Sequence, residues 1–395
     1  MHKKFDLHNT ERAFAHLSHG ELRKMARLFR LMASSSLTRI GGRFAKICLK
    51  LGLPLPFYIK NLLYNQFCGG EQLEDCSSVA QKCAQRNVLI NLHYGIEATS
   101  TQASWDHAYN ENIKAIKWCA NTPNAISLSV KLTALISIDI LQKKQNNKMV
   151  STEEENAYNL FNQRIDHLCA ESKKAGIAIY FDAEESWIQD EIDRLVIDLM
   201  RRYNDKSAVV FNTYQMYRFD KLAQFKQDVD EARGNNYFLG AKLVRGAYVV
   251  KEAAYAEAHG LKNPIHKNKA AVDHDFDLAV QYGIRELKHV ALCIGSHNIH
   301  SCELALHEAQ KQQIDLNHPH LVFSQLYGMS DPLSNNLAFY KTNISKYMPY
   351  GQVKYLLPYL IRRAEENQSV QGQMSRERRQ IQKEIKRRNA SENGL

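Results

Sequence analysis

From about residue 87 the chain alternates between short β-rich apolar runs and longer stretches whose apolar positions recur at helical spacing. The runs are Val88–Leu92, Ile126–Leu132, Ile177–Phe181, Ala208–Phe211, Leu239–Val244, Val290–Ile294, Leu321–Phe323 and Ile344–Tyr347. Strands alternating with helices predict a parallel sheet. Eight such units predict closure into an α/β barrel of the (β/α)8 TIM type. Before this region the pattern is helical: Leu22, Met25, Ala26, Phe29 and Met32 recur every three or four residues, and Pro54 and Pro56 break the pattern. The expected organisation is an N-terminal helical subdomain over 1–85, a barrel over 86–375, and a basic C-terminal helix or tail over 376–395. The polar stretch Gln142–Lys148 reads as a solvated loop after the second strand. The basic run Arg376–Arg388 reads as a helix, either solvated or resting on an anionic membrane surface.

In a parallel barrel the chemistry sits where the strands finish, and here nearly every run finishes on a polar residue. The second ends at Lys131, the third at Asp182 and Glu184, and the fourth at Asn212. The fifth carries Lys242 and Arg245, the sixth runs into Ser296, His297 and Asn298, the seventh into Gln325, and the eighth into Tyr347. Together they describe a cation-rich mouth suited to an anionic ligand. Beyond Pro358 a further helix is expected. There Tyr359, Arg362, Arg363 and Glu366 fall at i, i+3, i+4 and i+7 and share one face. Paired guanidinium groups suit a carboxylate. An exposed helix laced by i, i+4 salt bridges satisfies the same spacing.

A chain of 395 residues with 44% apolar composition can bury one large core and carry a helical extension. The net charge of +10 admits an anionic ligand, an anionic membrane surface or nucleic acid. The basic residues are spread out and form no recognised nucleic-acid module, so that class is set aside. The eight cysteines include no CxxC pair and read as reduced thiols. No apolar run reaches the roughly 18 residues of a membrane span. The N-terminus lacks an apolar signal core, and Asp6 and Glu11 disfavour a presequence. A cytoplasmic protein, peripheral at a membrane's inner face, is the expectation.

Across residues 87 to 375 the sequence resembles the proline dehydrogenase family. The resemblance rests on motifs in family order: Ser129–Leu135 (SVKLTAL), Phe181–Glu185 (FDAEE), Phe211–Gln215 (FNTYQ), Lys242–Tyr248 (KLVRGAY), Ser296–Asn298 (SHN), Gln325–Met329 (QLYGM), Tyr347–Gly351 (YMPYG) and Tyr359–Asn367 (YLIRRAEEN). Their wording is similar to that of the mitochondrial-type members, which implies a mitochondrial location in a eukaryote. The chain ends soon after the barrel, so a monofunctional enzyme is expected. The resemblance implies a distorted (β/α)8 barrel holding FAD non-covalently at the strand C-termini. It also implies oxidation of L-proline to Δ1-pyrroline-5-carboxylate, with electrons passed to a membrane quinone.

The resemblance further implies that Arg362, Arg363 and Lys131 bind the proline carboxylate. Tyr248 and Tyr359 line the ring pocket, Glu366 orients the arginines, and Asp182 pairs with Lys131. Ala183, Asn212, Arg245, Gly246, Ala247, Ser296 and His297 contact the flavin. Gly246 is expected to let the backbone approach the cofactor. Many bacterial members carry arginine where this chain has Lys242, as a donor to the reactive flavin nitrogen. Lysine brings a point charge of different reach. Glu97 is matched to a glutamate that pairs with Arg362 and gates the site. Hydroxyproline dehydrogenases generally carry a small residue at the position of Tyr347, so proline is the expected substrate. A metal-dependent hydrolase on this barrel usually has an HxH pair ending the first strand; here that strand ends in Leu92, His93 and Tyr94, with one histidine, and no metal is expected.

Overall fold

The computed structural model describes residues 5–32, 64–96, 99–356, 359–360 and 373–393. Eight parallel strands close into a barrel in chain order. They are β1 (Leu89–Tyr94), β2 (Ala125–Val130), β3 (Ala178–Phe181), β4 (Val210–Gln215), β5 (Leu239–Val244), β6 (Val290–Gly295), β7 (Leu321–Leu326) and β8 (Asn343–Tyr350). β8 pairs with β1 over six residues, from Ser345 against Leu89 to Tyr350 against Tyr94, and leaves no open edge. One or two helices cross between successive strands. The longest crossover helix, Thr152–Ala175, starts with a reciprocal capping box between Ser151 and Glu154 and stops at Gly176 in the left-handed conformation (φ 69°).

Side-chain alternation sorts the strands into two faces. Ile179, Phe181, Val290, Leu292 and Ile294 point outward and share the main core with the surrounding helices. Their neighbours Tyr180, Phe211, Ala291, Cys293 and Val322 form a separate buried cluster that plugs the lumen. The barrel is therefore filled at its base, and the ionic groups of its lumen gather towards the strand C-termini.

Three elements differ from the expectations. The stretch Gln142–Lys148 is not all loop: Ile138–Gln145 is a helix capped by Ser137. Its Lys143 and Lys144 bond to Glu154 and Glu155 of the next helix, each at 2.6 Å. Lysines near a helix C-terminus also suit its dipole. The helix Leu73–Ala84, placed with the N-terminal region, packs against β1, and its Cys76, Ala80 and Cys83 join the barrel core. The C-terminal helix Gln373–Asn393 is docked rather than freely solvated: Ile381 is buried with Ala13, Phe14, Leu22 and Phe29 of the N-terminal helices. Among the described residues no helix is long and apolar enough to cross a membrane. The seven described cysteines are free and buried.

Candidate active site

Alternation on β2, β3 and β5 carries Ser127, Ser129, Lys131, Tyr180, Asp182 and Lys242 to the lumen side, while Leu128, Val130, Phe181 and Leu243 face the helices. Two buried polar groupings result. In the first, Lys242 Nζ reaches across from β5 and bonds Asp182 Oδ1 at 2.5 Å, and Tyr347 of β8 donates its hydroxyl to Asp182 Oδ2 at 2.9 Å. The ammonium lies 4.9 Å from the Tyr347 ring centroid. His93 stacks on this tyrosine, with centroids 5.1 Å apart, and its Nδ1 lies 3.1 Å from the Ser129 carbonyl. Burial alone would raise the Asp182 carboxyl. The charge and hydrogen bond of Lys242, with His93 and Lys131, together outweigh it and hold Asp182 below the usual carboxylate range.

In the second grouping, Lys131 Nζ donates to Tyr248 OH at 2.7 Å and to Glu184 Oε2 at 3.2 Å, and Tyr248 OH donates to the same glutamate oxygen at 2.8 Å. Thr133 Oγ1 supplies Glu184 Oε1 at 2.7 Å. The expected Asp182–Lys131 pair is thus replaced. Both Asp182 oxygens are taken from across the lumen, and Lys131 is matched by Glu184, two residues further along the β3–helix turn. Glu184, Thr133 and His93 were given no role by sequence reasoning. Glu184 was visible as a strand-end acid in FDAEE, whereas a lone threonine and a lone histidine carry no signal of their own.

The rim carries the residues matched to a flavin. Arg245 donates from Nε to Asp273 Oδ1 at 2.6 Å, and from its two terminal nitrogens to Ser296 Oγ and Ser301 Oγ, each at 2.9 Å. Its side chain is still 22% exposed. Ala183, in the turn after β3, is buried, and Ala247, in the turn after β5, is exposed. Gly246 has φ +116°, and a Cβ there would lie 2.5 Å from the Tyr217 ring, so packing as well as conformation requires glycine. The His297 ring is held at both nitrogens, with Nδ1 2.9 Å from Ser330 Oγ and Nε2 3.4 Å from the Leu326 N–H. A ring face is what it can offer a ligand.

One correction follows from these positions. Asn212 points away from the lumen: it is fully buried towards the helices and donates to Asp193 Oδ1 at 2.8 Å. Gln215, three residues on, lies on the lumen side and bonds the Glu184 carbonyl at 2.7 Å, so it takes Asn212's place in the mouth. Lys242 gives one of its three ammonium donors to Asp182. Tyr359 is buried in a cluster with Tyr64, Phe67, Met329, Tyr347 and Leu360, which brings it beside the mouth tyrosine. Arg362, Arg363, Glu366 and Glu97 lie outside the described residues.

A closed parallel barrel whose buried ionic groups collect at the strand C-termini defines a (β/α)8 enzyme. The family model described as "Proline dehydrogenase" matches residues 76–376, and the chain belongs to that family. It is 30% identical over 433 residues to "Proline dehydrogenase 1, mitochondrial" of Dictyostelium discoideum, covering 98% of this chain and 75% of that protein. It is 29% identical over 365 residues to "Carbapenem antibiotics biosynthesis protein CarD" of Pectobacterium carotovorum subsp. carotovorum, covering 91% and 94%. Among solved structures, proline utilization A from Bdellovibrio bacteriovorus, inactivated by N-propargylglycine, superposes with a TM-score of 0.72 at 20% identity over 89% of this chain. This chain spans 37% of that protein's length, and the likeness is one of fold. Family membership makes the protein an oxidoreductase of the proline dehydrogenase type.

Proposed function

We propose that this chain oxidises L-proline to Δ1-pyrroline-5-carboxylate, the first step of degradation to glutamate, with non-covalent FAD as hydride acceptor and a quinone as onward electron acceptor. The observation that carries the reading is the Lys131–Tyr248–Glu184 triangle, a buried cation held at the barrel mouth by a phenol and a carboxylate. A substrate carboxylate arriving there can take over a donor already oriented for it. Arg362 and Arg363, oriented by Glu366, complete the clamp, and Tyr248 and Tyr359 flank the ring.

The donor set at the rim fits a dinucleotide cofactor. Arg245 and the hydroxyls of Ser296 and Ser301 suit a pyrophosphate, and Gly246 and Ala247 leave the β5 turn with little side-chain bulk. Ala183, Gln215 and His297 flank the same mouth. FAD, when bound, supplies acceptance of the hydride from proline C5. The protein's part is positional: clamping the carboxylate fixes C5 in distance and angle and removes part of the entropic barrier. As the hydride leaves C5, the nitrogen lone pair forms the C=N bond. The ring nitrogen must therefore first surrender its extra proton to water, and turnover rises with pH. Tyr347 favours proline over its 4-hydroxy analogue, because its hydroxyl is tied to Asp182 and its ring is pinned by His93.

Anaerobic addition of L-proline to the purified protein tests this directly. Bleaching of a flavin absorbance band is expected. Protein without flavin, or a flavin that stays oxidised, overturns the reading. Arg363→Ala should raise the proline KM at least about tenfold with flavin retained; an unchanged KM removes Arg363 from the clamp.

A further inference from the structure

Glu184, which shares the Lys131 ammonium with Tyr248, is also gripped along its main chain. Its carbonyl accepts from Gln215 Nε2 at 2.7 Å, and its N–H donates to Gln189 Oε1 at 2.6 Å. Gln189 belongs to the helix Ser186–Tyr203, and its Nε2 donates to Asp193 Oδ1, one turn along, at 2.7 Å. Asp193 is the hub of a buried network between that helix, β4 and the helix Lys221–Gly234. Asn212 Nδ2 donates to its Oδ1 at 2.8 Å, and Lys221 Nζ and Gln224 Nε2 donate to its Oδ2 at 2.6 and 2.9 Å. Gln189 and Asn212 are 0% exposed, Lys221 1%, Glu184 3% and Asp193 5%. Burial pushes the Asp193 carboxyl up, but the Lys221 ammonium and the amide donors of Asn212 and Gln224 together hold it below the usual range.

A fully buried lysine–aspartate pair gains little net stability over apolar side chains of the same volume. What this one does supply is direction. A glutamine amide has an acceptor at one end and donors at the other. An ionised Asp193, which only accepts, makes the NH2 end of Gln189 face the carboxylate. The oxygen end is then fixed on the Glu184 N–H. Without that constraint the amide can turn over, and the Glu184 N–H would meet another donor. The turn that presents Glu184 to Lys131 and Tyr248 would lose one of its two main-chain anchors.

We infer that Gln189, oriented by Asp193, is a positioning residue for the carboxylate-binding side of the site, acting through Glu184 on Lys131. The inference rests on the reading that Lys131 receives the substrate carboxylate. Gln189→Met keeps the volume and leaves the Asp193–Lys221 pair whole while cutting the link to Glu184. Gln224→Met also removes one donor from Asp193 but makes no link to Glu184, and so serves as the control. In holoenzyme that first shows proline-dependent flavin bleaching, Gln189→Met should raise the proline KM about tenfold. It should raise the inhibition constant of cyclopentanecarboxylate, an anion without the reacting amine, by a similar factor. Flavin content should be unchanged and kcat within about twofold. Gln224→Met should leave both constants unchanged while lowering Tm. Should Gln189→Met not accumulate as folded protein, Gln189→Asn, one methylene too short to span both partners, carries the same comparison. Unchanged constants in a folded Gln189 variant, or equal shifts in the Gln224 control, overturn the inference. Wild-type protein whose flavin proline does not bleach overturns the underlying functional reading instead.

Discussion

Lys131 and Lys242 face the same lumen, yet each answers to a different carboxylate, and the difference decides what each can do. Lys242 sits deeper, bonded to an Asp182 that also holds Tyr347, so the pair fixes the floor of the mouth. Lys131 is shared with a phenol and a glutamate whose own position depends on the turn after β3, a looser arrangement that an incoming anion can enter. In the proposed function, Tyr347 is the residue that sets substrate size. Tyr347→Ser removes the ring that stacks on His93 and opens space over the Asp182–Lys242 pair. The ratio of kcat/KM for 4-hydroxyproline over proline is expected to rise at least about tenfold, since steric exclusion of one small group in a packed pocket is worth that order. An unchanged ratio would mean that Tyr347 does not face the substrate ring. Lys242→Met, in contrast, strands a buried carboxylate and should cost about 3 kcal/mol or more in urea unfolding.

At the scale of elements, the basic run of the C-terminal helix Gln373–Asn393 hides the face by which it docks. Its lysines and arginines read as a solvated or membrane-facing face, but the helix is anchored by an acid that the basic run hides. Glu377 is buried and accepts the Ser330 N–H at 2.6 Å, where Ser330 sits in the left-handed region (φ 54°). Burial raises the Glu377 carboxyl to about 7. Neighbouring Asp331 adds to the rise, against the Ser330 bond and Lys346. The folded state therefore holds a proton here that the unfolded chain, with an ordinary value of 4.5, has already released. That contribution is fully present below about pH 4.5 and is lost as pH rises through about 7, a loss that can reach roughly 3 kcal/mol by pH 8. Glu377→Gln, neutral at every pH, should flatten this part of the profile. The check is urea midpoints between pH 5 and 8, with equal slopes in variant and wild type refuting the assignment. The helix Ile138–Gln145 was hidden for a related reason. Its polar run resembles a loop until Lys143 and Lys144 are seen bonded to Glu154 and Glu155, partners that only the folded chain supplies.

For the whole molecule, the eight-strand barrel was legible because each strand is a short apolar run bounded by helical spacing, and the last run, Ile344–Tyr347, proved to lie in the longest strand, Asn343–Tyr350. The facing of the strands was less legible. β4 is buried on both sides, so no polar alternation marks which side chains enter the lumen; that is how Asn212 was put in the mouth and Gln215 left out. The pairing of charges was illegible in principle, since Asp182 meets Lys242 across 60 residues of chain and Tyr347 across 165. The lumen plug beneath those charges gives the last test. Gly240 of β5 alternates with Lys242 and so faces the plug, where a Cβ would stand 2.1 Å from the Val210 carbonyl oxygen and 2.8 Å from the Phe211 ring. The nearest obstacle is backbone in a neighbouring strand, which cannot swing aside as a side chain can. Phe211 in turn lies against Tyr180, with centroids 4.4 Å apart. Gly240→Ala should therefore cost about 2–3 kcal/mol in urea unfolding. Adding Phe211→Leu should not restore the loss, because the carbonyl contact remains. A Gly240→Ala protein within about 0.5 kcal/mol of wild type would show that β4 and β5 can part at their base, and that the floor under Lys242 is softer than its packing implies.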